Sequence, residues 1–359
     1  MIYLAISALM GFIATFAGTP YARRYLKSSG IYGVDQQKQD KPKLPTSGGI
    51  AVFFGTLVAI TSYMGFVAFL GASSTDIPML LAALGSINII TLIGLIDDIH
   101  VSDGDSPESG SLPTDRVWEK VVGLFGEVSR EGEVHRRGIS QMPKMLFVLP
   151  AALPLIAVGA GSWTMNFPVL GTVNWGVLYP LVLLPVGLLF VSNVVNMLAG
   201  TNGLSSAMSF VAAMGLGTFA VINGAAAAAV IAFGLAASLL GFLFYNFYPA
   251  SILPGDSLTY LSGAALFSAI VIGNMEKFGV FIFTPWFLEF FLKLRSGFKA
   301  HSWGELQEDG SLKPLYDKNY SLTHPLMRRG YTEKQVTLML AGFETLICVL
   351  GLVVFTAVI

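Results

Sequence analysis

The sequence contains little charge and almost no cysteine. Charged residues make up 12% of the 359 positions, about half the share usual in a soluble domain, whereas hydrophobic residues make up 54% and the mean hydropathy is +0.68. A soluble enzyme of this length would need more surface charge, so that class is excluded. The net charge of −1 excludes a basic nucleic-acid-binding domain, and no nucleic acid is expected as a partner. The single cysteine, Cys348, excludes a disulfide scaffold.

Long apolar runs are the main feature of the sequence. A membrane span needs about 20 mostly apolar residues, and the runs predict one all-α polytopic membrane domain over residues 1–359 with about ten transmembrane helices. The first run lacks a basic segment before it and is expected to be a retained span rather than a cleaved signal. The predicted spans are 2–22, 48–70, 77–96, 144–161, 177–195, 204–222, 225–247, 257–273, 278–293 and 336–358.

The basic residues predict how these spans are oriented. With ten spans, the loops on one side, extended by one residue to include Lys144 and Lys293, carry 20 of the 21 Lys and Arg residues, and Lys277 alone falls on the other side. The basic side should face the cytoplasm, so both termini are expected outside. In a prokaryote the membrane would be the plasma membrane. Two cytoplasmic loops are long: an acidic insertion at 101–140 with a predicted amphipathic helix, and a predicted substrate-binding loop at 294–335.

Three carboxylates lie at span ends on the basic side, where desolvation makes them costly. Asp97 and Asp98 end the third span, in GLIDDIH, and Asp256 opens a later one, in LPGDSLTYLSG. The pair is read either as a site that handles a metal or protons, or as a polar stop at the water interface. Asp256 is read either as a ligand for Mg²⁺ or as a helix N-cap.

Amide side chains and cations are also predicted on the basic side. Asn193 and Asn196 stand three residues apart on one predicted helix face, and Asn202 follows in the turn of VSNVVNMLAGTNGL. These asparagines suit a cation, a uracil edge or a phosphate, although this segment alone favours capping and turn chemistry. The positive-inside rule by itself explains the cations on this side, which include Lys41, Lys43, Lys144, Arg295, Lys299 and His301. Carboxylates, amides and cations on one face together suit a phosphate-rich substrate bound through a metal.

The motifs GLIDDIH, NVVNMLAGTNGL, LPGDSLTYLSG and KPKLPTSGGI resemble those of the polyprenyl-phosphate N-acetylhexosamine-1-phosphate transferases. The phrase NMLAGTNGL is similar to the branch that acts on UDP-GlcNAc and dolichyl phosphate in eukaryotes and archaea. The resemblance implies a ten-span fold with a cytoplasmic active site. It also implies transfer of a sugar-1-phosphate from a UDP-HexNAc donor to a polyprenyl or dolichyl phosphate acceptor in the bilayer, with release of UMP. The cofactor implied is Mg²⁺, with Mn²⁺ as an alternative, and homodimers are common in the family.

The resemblance also implies roles for individual residues. Asp256 and Asn196 match the metal-binding pair, and Asn202 matches the asparagine near the uracil. Asp97 and Asp98 match an acidic pair that activates the lipid phosphate, with Asp98 as the first choice for that role. The expected phosphate- and substrate-binding residues are Lys43, Lys144, Asn193, Lys299 and His301. Two alternatives stay open: the same reaction with another UDP-HexNAc, and a lipid-sugar flippase or transporter.

Overall fold

The computed structural model describes residues 1–71, 76–99, 147–167 and 171–357, and within them the chain is mostly helical. The insertion at 101–140, with its predicted amphipathic helix, and Lys144 lie outside these residues. The α-helices are α1 Ile2–Ser28, α2 Gly49–Leu70, α3 Ile77–Ile99, α4 Leu153–Ala157, α5 Leu184–Met197, α6 Leu204–Ile222, α7 Ala226–Asn246, α8 Gly255–Ile272, α9 Glu276–Ile282, α10 Thr284–Leu294, α11 Thr323–Met327 and α12 Glu333–Thr356. A 3₁₀ turn, Leu149–Ala152, precedes α4, and a π-helical turn, Tyr179–Leu183, leads into α5.

Eight helices of the described ranges are long and apolar enough to cross a membrane, by length and composition. They are α1, α2, α3, α6, α7, α8, α12 and the continuous stretch Tyr179–Met197 that includes α5. This confirms the prediction of an all-α polytopic membrane protein. The other two predicted spans look different: the described part of 144–161 holds only short helices, and 278–293 is divided between α9 and α10. The count of ten and the outward termini stay predictions.

Helix α8 lies at the centre of the bundle. Within the most apolar window of each helix, 83% of the α8 residues are buried by other parts of the chain, compared with 22% in α1 and in α12. α8 packs against α2, α3, α5, α6 and α7. Lipid offers no hydrophobic drive for helix association, so close packing through small residues holds such bundles together. A Cβ atom on Gly263 of α8, for instance, would lie 2.5 Å from the Cα of Ser192 in α5.

Within the described ranges, three short antiparallel strand pairs lie between the helices: β1 Tyr32–Val34 with β2 Lys43–Pro45, β3 Thr164–Phe167 with β4 Gly171–Asn174, and β5 Gly304–Leu306 with β6 Leu312–Pro314. Their registers pair Tyr32 with Pro45, Thr164 with Asn174, and Gly304 with Pro314. The β5–β6 pair and α11 belong to the segment between α10 and α12. α12 itself begins with a capping box formed by Thr332 and Gln335.

The segment that follows β2 joins the start of α2 to the start of α8. The backbone N–H of Leu253 donates to the carbonyl of Pro45 at 2.8 Å, and the N–H of Gly49 donates to the carbonyl of Pro254 at 3.1 Å. A Cβ on Gly49 would lie 2.2 Å from the backbone nitrogen of Leu258, so only glycine allows this approach. The first turn of α8, which carries Asp256, is therefore fixed by a segment about 200 residues earlier in the sequence.

Candidate active site

The carboxylate of Asp98 caps the N-terminus of α8. Its Oδ1 accepts a hydrogen bond from the backbone N–H of Asp256 at 2.7 Å, and its Oδ2 accepts from the backbone N–H of Ser257 at 3.1 Å and from the hydroxyl of Ser47 at 2.7 Å. A negative group at this place satisfies two of the helix's otherwise unpaired N–H groups and complements its dipole. Asp97 and Asp98 are 8% and 7% exposed, so neither is a polar stop in water.

Two backbone features make room for this carboxylate. Gly255 has φ +70°, and a Cβ there would lie 2.3 Å from the Oδ2 of Asp98. Ser47 also adopts a left-handed conformation, with φ +69°, and is fully buried. A residue other than glycine in this region stores backbone strain, which surrounding contacts must hold in place. The contacts of Asp98 thus fix both the entry to α2 and the entry to α8.

We expect Asp98→Asn to destabilise the protein. An asparagine has one acceptor oxygen, so it cannot accept from all three donors, and the charge at the helix terminus is lost. Hydrogen bonds to charged groups contribute about 1.5–3 kcal/mol each, so a loss of about 2 kcal/mol is expected. Thermal unfolding in detergent measures it, with Asp40→Asn, at an exposed carboxylate, as the control. Equal unfolding temperatures for the two variants would contradict the capping role.

A cavity of about 710 Å³ lies against α8. Tyr260, one helical turn after Asp256 on the same face of α8, lines this cavity. The volume falls in the range of cavities that bind drug-sized ligands. Its lining residues are Asn193, Asn196, Met197, Ala199, Tyr260, Lys293, Gly297, Phe298, Lys299, Ala300, His301, Ser302 and Trp303. The structure therefore brings four of the predicted residues together: Asn193, Asn196, Lys299 and His301.

The cations of the cavity come from the end of α10 and from the segment that follows it. Lys299 and His301 are both exposed, and the His301 ring stacks on Trp303 with ring centroids 3.9 Å apart. Lys293 is only 5% exposed, and its Nζ donates to the carbonyl of Ala300 at 2.6 Å. The cavity thus has cations along one wall and the amides of α5 along another, with the carboxylate of Asp256 one turn from Tyr260. This combination suits a substrate rich in phosphate groups.

Asn202 lies in a separate buried network. Its Nδ2 donates to Oδ2 of Asp35 at 3.0 Å, and its backbone N–H donates to Oε1 of Glu333 at 2.7 Å. Lys38 bonds to the carboxylate of Glu333 and lies 3.4 Å from that of Asp35. The network joins the segment between α1 and α2 to the α5–α6 turn and to the start of α12. Lys43 is also away from the cavity lining, exposed in β2.

The fully buried side chain of His324 connects two parts of the segment that also contains His301. Its Nδ1 accepts from the backbone N–H of Tyr320 at 3.1 Å, so the proton of the neutral ring is on Nε2, which donates to the carbonyl of His301 at 3.0 Å. Burial lowers the pKa of the His324 imidazole below its usual value. The neutral ring fixes the backbone of His301.

The donor set around α8 suits a hard cation such as Mg²⁺. Magnesium takes oxygen ligands and is commonly held by one or two carboxylates together with substrate phosphates and water. The asparagine amides of α5 provide such oxygens in the lining of the cavity, and Asp256 lies one helical turn before Tyr260 of the same lining. Among the described residues, no group of three or more His, Cys, Asp or Glu side chains forms a complete metal cage. A metal site in which substrate phosphates supply the remaining ligands is consistent with both observations.

The sequence motifs predict no role in the site for Tyr260, Lys293, Glu289 or Ser47. In the sequence, Lys293 contributes only to the excess of basic residues on the predicted cytoplasmic side. A signal was present: Glu289 and Lys293 are four residues apart inside a predicted span, which places two opposite charges on one helix face. Tyr260 shares the same spacing with Asp256. Ser47 carried no such signal, because its partner lies 51 residues away.

The helices and the polar cavity define an integral membrane protein with a phosphate-compatible site. Residues 80–274, more than half of the chain, match the sequence pattern of glycosyl transferase family 4, so the chain belongs to this family. It is 29% identical to a Sulfolobus acidocaldarius protein provisionally named UDP-N-acetylglucosamine–dolichyl-phosphate N-acetylglucosaminephosphotransferase, over 99% of this chain and 97% of that protein.

Two further relatives extend the similarity. A Dictyostelium discoideum protein named UDP-N-acetylglucosamine–dolichyl-phosphate N-acetylglucosaminephosphotransferase is 25% identical over 77% of this chain and 68% of its own length. A phospho-N-acetylmuramoyl-pentapeptide-transferase of Chlorobium phaeobacteroides is 28% identical over 73% of this chain and 67% of its own length. The match to family 4 spans α8 and most of α3, the two helices that Asp98 joins. The resemblance stated from the motifs is confirmed.

Proposed function

We propose that this protein transfers GlcNAc-1-phosphate, or a related HexNAc-1-phosphate, from a UDP-sugar to a polyprenyl or dolichyl phosphate. The observation that carries the proposal is the cavity itself, whose lining combines the amides Asn193 and Asn196 with the cations Lys293, Lys299 and His301. Relatives named for this reaction with UDP-N-acetylglucosamine and dolichyl phosphate support the choice of donor and acceptor. The reaction is the first step of lipid-linked glycan assembly.

Asp256 and Asn196 are the proposed ligands of Mg²⁺. When bound, the ion supplies positive charge that offsets the charge developing on the leaving phosphate. Lys299 and His301 bind the donor diphosphate from the opposite wall, and Lys293 adds a buried positive charge between α10 and that wall. Asn193 completes the proposed donor site, whereas Asn202 stays a prediction from the motif because its side chain bonds to Asp35 outside the cavity lining. The cations Lys43 and Lys144 attract the lipid phosphate from the cytoplasmic surface.

The two adjacent carboxylates take different roles. Both oxygens of Asp98 already accept from Ser47 and from the start of α8, so Asp98 is proposed to hold Asp256 in position. Asp97 is the carboxylate proposed to accept a proton from the lipid phosphate. A lipid-phosphate oxygen then bonds to the β-phosphorus, the bond from that phosphorus to the bridging oxygen breaks, and UMP leaves with the electron pair. No enzyme nucleophile is needed for this in-line step.

The reaction is proposed to occur at the cytoplasmic face of the membrane. The cations Lys293, Lys299 and His301 line the cavity, and the segment that carries most of them belongs to the predicted basic side. Basic loops stay in the cytoplasm during insertion. A homodimer is proposed from the resemblance alone. Both the UDP-sugar and the exposed phosphate of the lipid acceptor would reach a cavity on this side.

The test is UMP release by the purified protein in detergent with UDP-GlcNAc, dolichyl phosphate and Mg²⁺. We expect release that requires the lipid, stops in EDTA and returns when Mg²⁺ is added in excess. A panel of other UDP-HexNAc donors measured beside UDP-GlcNAc identifies the preferred sugar. Absence of UMP release with every donor, from protein that still binds the lipid, would contradict the transferase proposal and support lipid-sugar transport.

A further inference from the structure

Glu289 is a fully buried carboxylate in the middle of α10. Its partners are Lys293 of the same helix and residues of the segment between α10 and α12. Its Oε2 accepts from the hydroxyl of Ser321 at 3.1 Å and from the backbone N–H of Leu322 at 2.7 Å. Its Oε1 accepts from the hydroxyl of Ser302 at 3.3 Å and lies 3.8 Å from Nζ of Lys293. A buried charge is costly unless it is paired and hydrogen-bonded, and Glu289 is both.

The three backbone carbonyls of residues 300–302 are each held by a different side chain. Lys293 donates to that of Ala300 at 2.6 Å and His324 to that of His301 at 3.0 Å. Thr323 donates to that of Ser302 at 2.6 Å. Backbone carbonyls in a surface segment are usually satisfied by water, so three consecutive side-chain contacts indicate a rigid cavity wall.

Glu289 connects these contacts. It pairs with Lys293, which holds the carbonyl of Ala300, and it caps the turn that leads into α11, the helix that contains Thr323 and His324. The hydroxyl of Ser302 also reaches the carbonyl of Met197 at 3.1 Å, so the wall is joined to the end of α5. Lys299 and His301, which flank Ala300, are thereby held over the cavity between α5 and α10.

We propose that Glu289 and Lys293 are positioning residues for the donor, which hold residues 300–302 so that Lys299 and His301 meet its diphosphate. This inference rests on the proposed transfer from a UDP-sugar. The catalytic carboxylates lie on α3 and α8, whereas this pair lies on α10. Loss of the pair should therefore weaken donor binding and leave acceptor binding unchanged, because preorganisation lowers the cost of binding only for the ligand that the wall contacts.

The test compares Glu289→Gln with Glu305→Gln, which removes the same charge from an exposed position on β5 of the same segment. We expect the KM for the UDP-sugar to rise about tenfold in Glu289→Gln, as for the loss of one charge-assisted contact. The KM for the lipid phosphate should stay within about twofold of the wild-type value. Hydrogen–deuterium exchange at residues 299–303 should become faster, with exchange in α12 unchanged. Glu305→Gln should change none of these quantities.

A milder variant keeps the test informative if Glu289→Gln does not fold. Thr323→Val removes only the hydroxyl that holds the carbonyl of Ser302, and it should raise the donor KM about threefold without affecting the acceptor. Unchanged donor KM and unchanged exchange in an active variant would overturn the positioning role. A wild-type protein with no lipid-dependent UMP release would instead overturn the proposed function, so the two failures are distinguishable.

Discussion

The Asp256→Asn variant is expected to lose lipid-dependent UMP release by about a hundredfold to a thousandfold while it keeps its fold. The activity should fall because a neutral amide is a weaker ligand for Mg²⁺ than a carboxylate, and charge stabilisation by a metal contributes several kcal/mol. The fold should be retained because Asp98 contacts the backbone N–H of Asp256, which the substitution leaves in place. The measurement is UMP release at saturating donor and acceptor, together with the Mg²⁺ concentration that gives half of the maximal rate.

Asp309→Asn is the matched control for this variant. It replaces the same side chain at an exposed position in the segment between α10 and α12, and the amide oxygen can still accept from the backbone N–H of Ser311. It should retain wild-type activity and metal dependence. Should Asp256→Asn keep more than about a tenth of the wild-type rate at an unchanged Mg²⁺ requirement, Asp256 would not be a metal ligand.

The second large effect is expected from Gly255→Ala. The alanine would adopt a backbone with φ +70° and would place its Cβ 2.3 Å from the Oδ2 of Asp98. The left-handed conformation costs about 1–2 kcal/mol, and overpacking adds about 1–3 kcal/mol. The carboxylate must move away, so the start of α8 and Asp256 shift with it. A displacement of about 1 Å in a catalytic site can reduce the rate about a hundredfold.

Gly224→Ala separates the two contributions. Gly224 has the same φ of +70°, and a Cβ there would have nothing within 4 Å. Its substitution should lower the unfolding temperature slightly and leave UMP release unchanged, whereas Gly255→Ala should lower both more strongly. Thermal unfolding and UMP release of the two variants provide the comparison. Equal behaviour would mean that the close approach of Asp98 to Gly255 has no role in the site.

The adjacent carboxylates illustrate a limit of reading the sequence. A helix turns about 100° per residue, so neighbouring side chains point in different directions. The motif identifies Asp97 and Asp98 together, but it does not indicate which one faces α8. The structure shows Asp98 in contact with the backbone of Asp256, 158 residues later in the chain. These contacts favour a positioning role for Asp98 and leave Asp97 as the proposed proton acceptor.

Asn202 and Glu289 are two further residues whose contacts could not be predicted from the sequence. Asn202 stands six residues after Asn196 in one motif, yet its amide bonds to Asp35 in a separate network. Glu289 belongs to no motif, and its partners are 4 to 33 residues away. Spacing along the chain predicts shared helix faces, but it does not predict which side chains meet after the chain turns back.

The sequence by itself determined the class of protein, the presence of membrane-spanning helices and the motifs that indicate phosphate chemistry. These properties are local: hydropathy is summed over about 20 consecutive residues, and each motif is contained within one helix end or turn. Only the tertiary structure decided that Asp98 caps α8, that Lys293 and Tyr260 line the cavity, and that Glu289 holds its wall. Those contacts join separate elements of the bundle, and they form because buried polar groups must find partners wherever the packed helices place them.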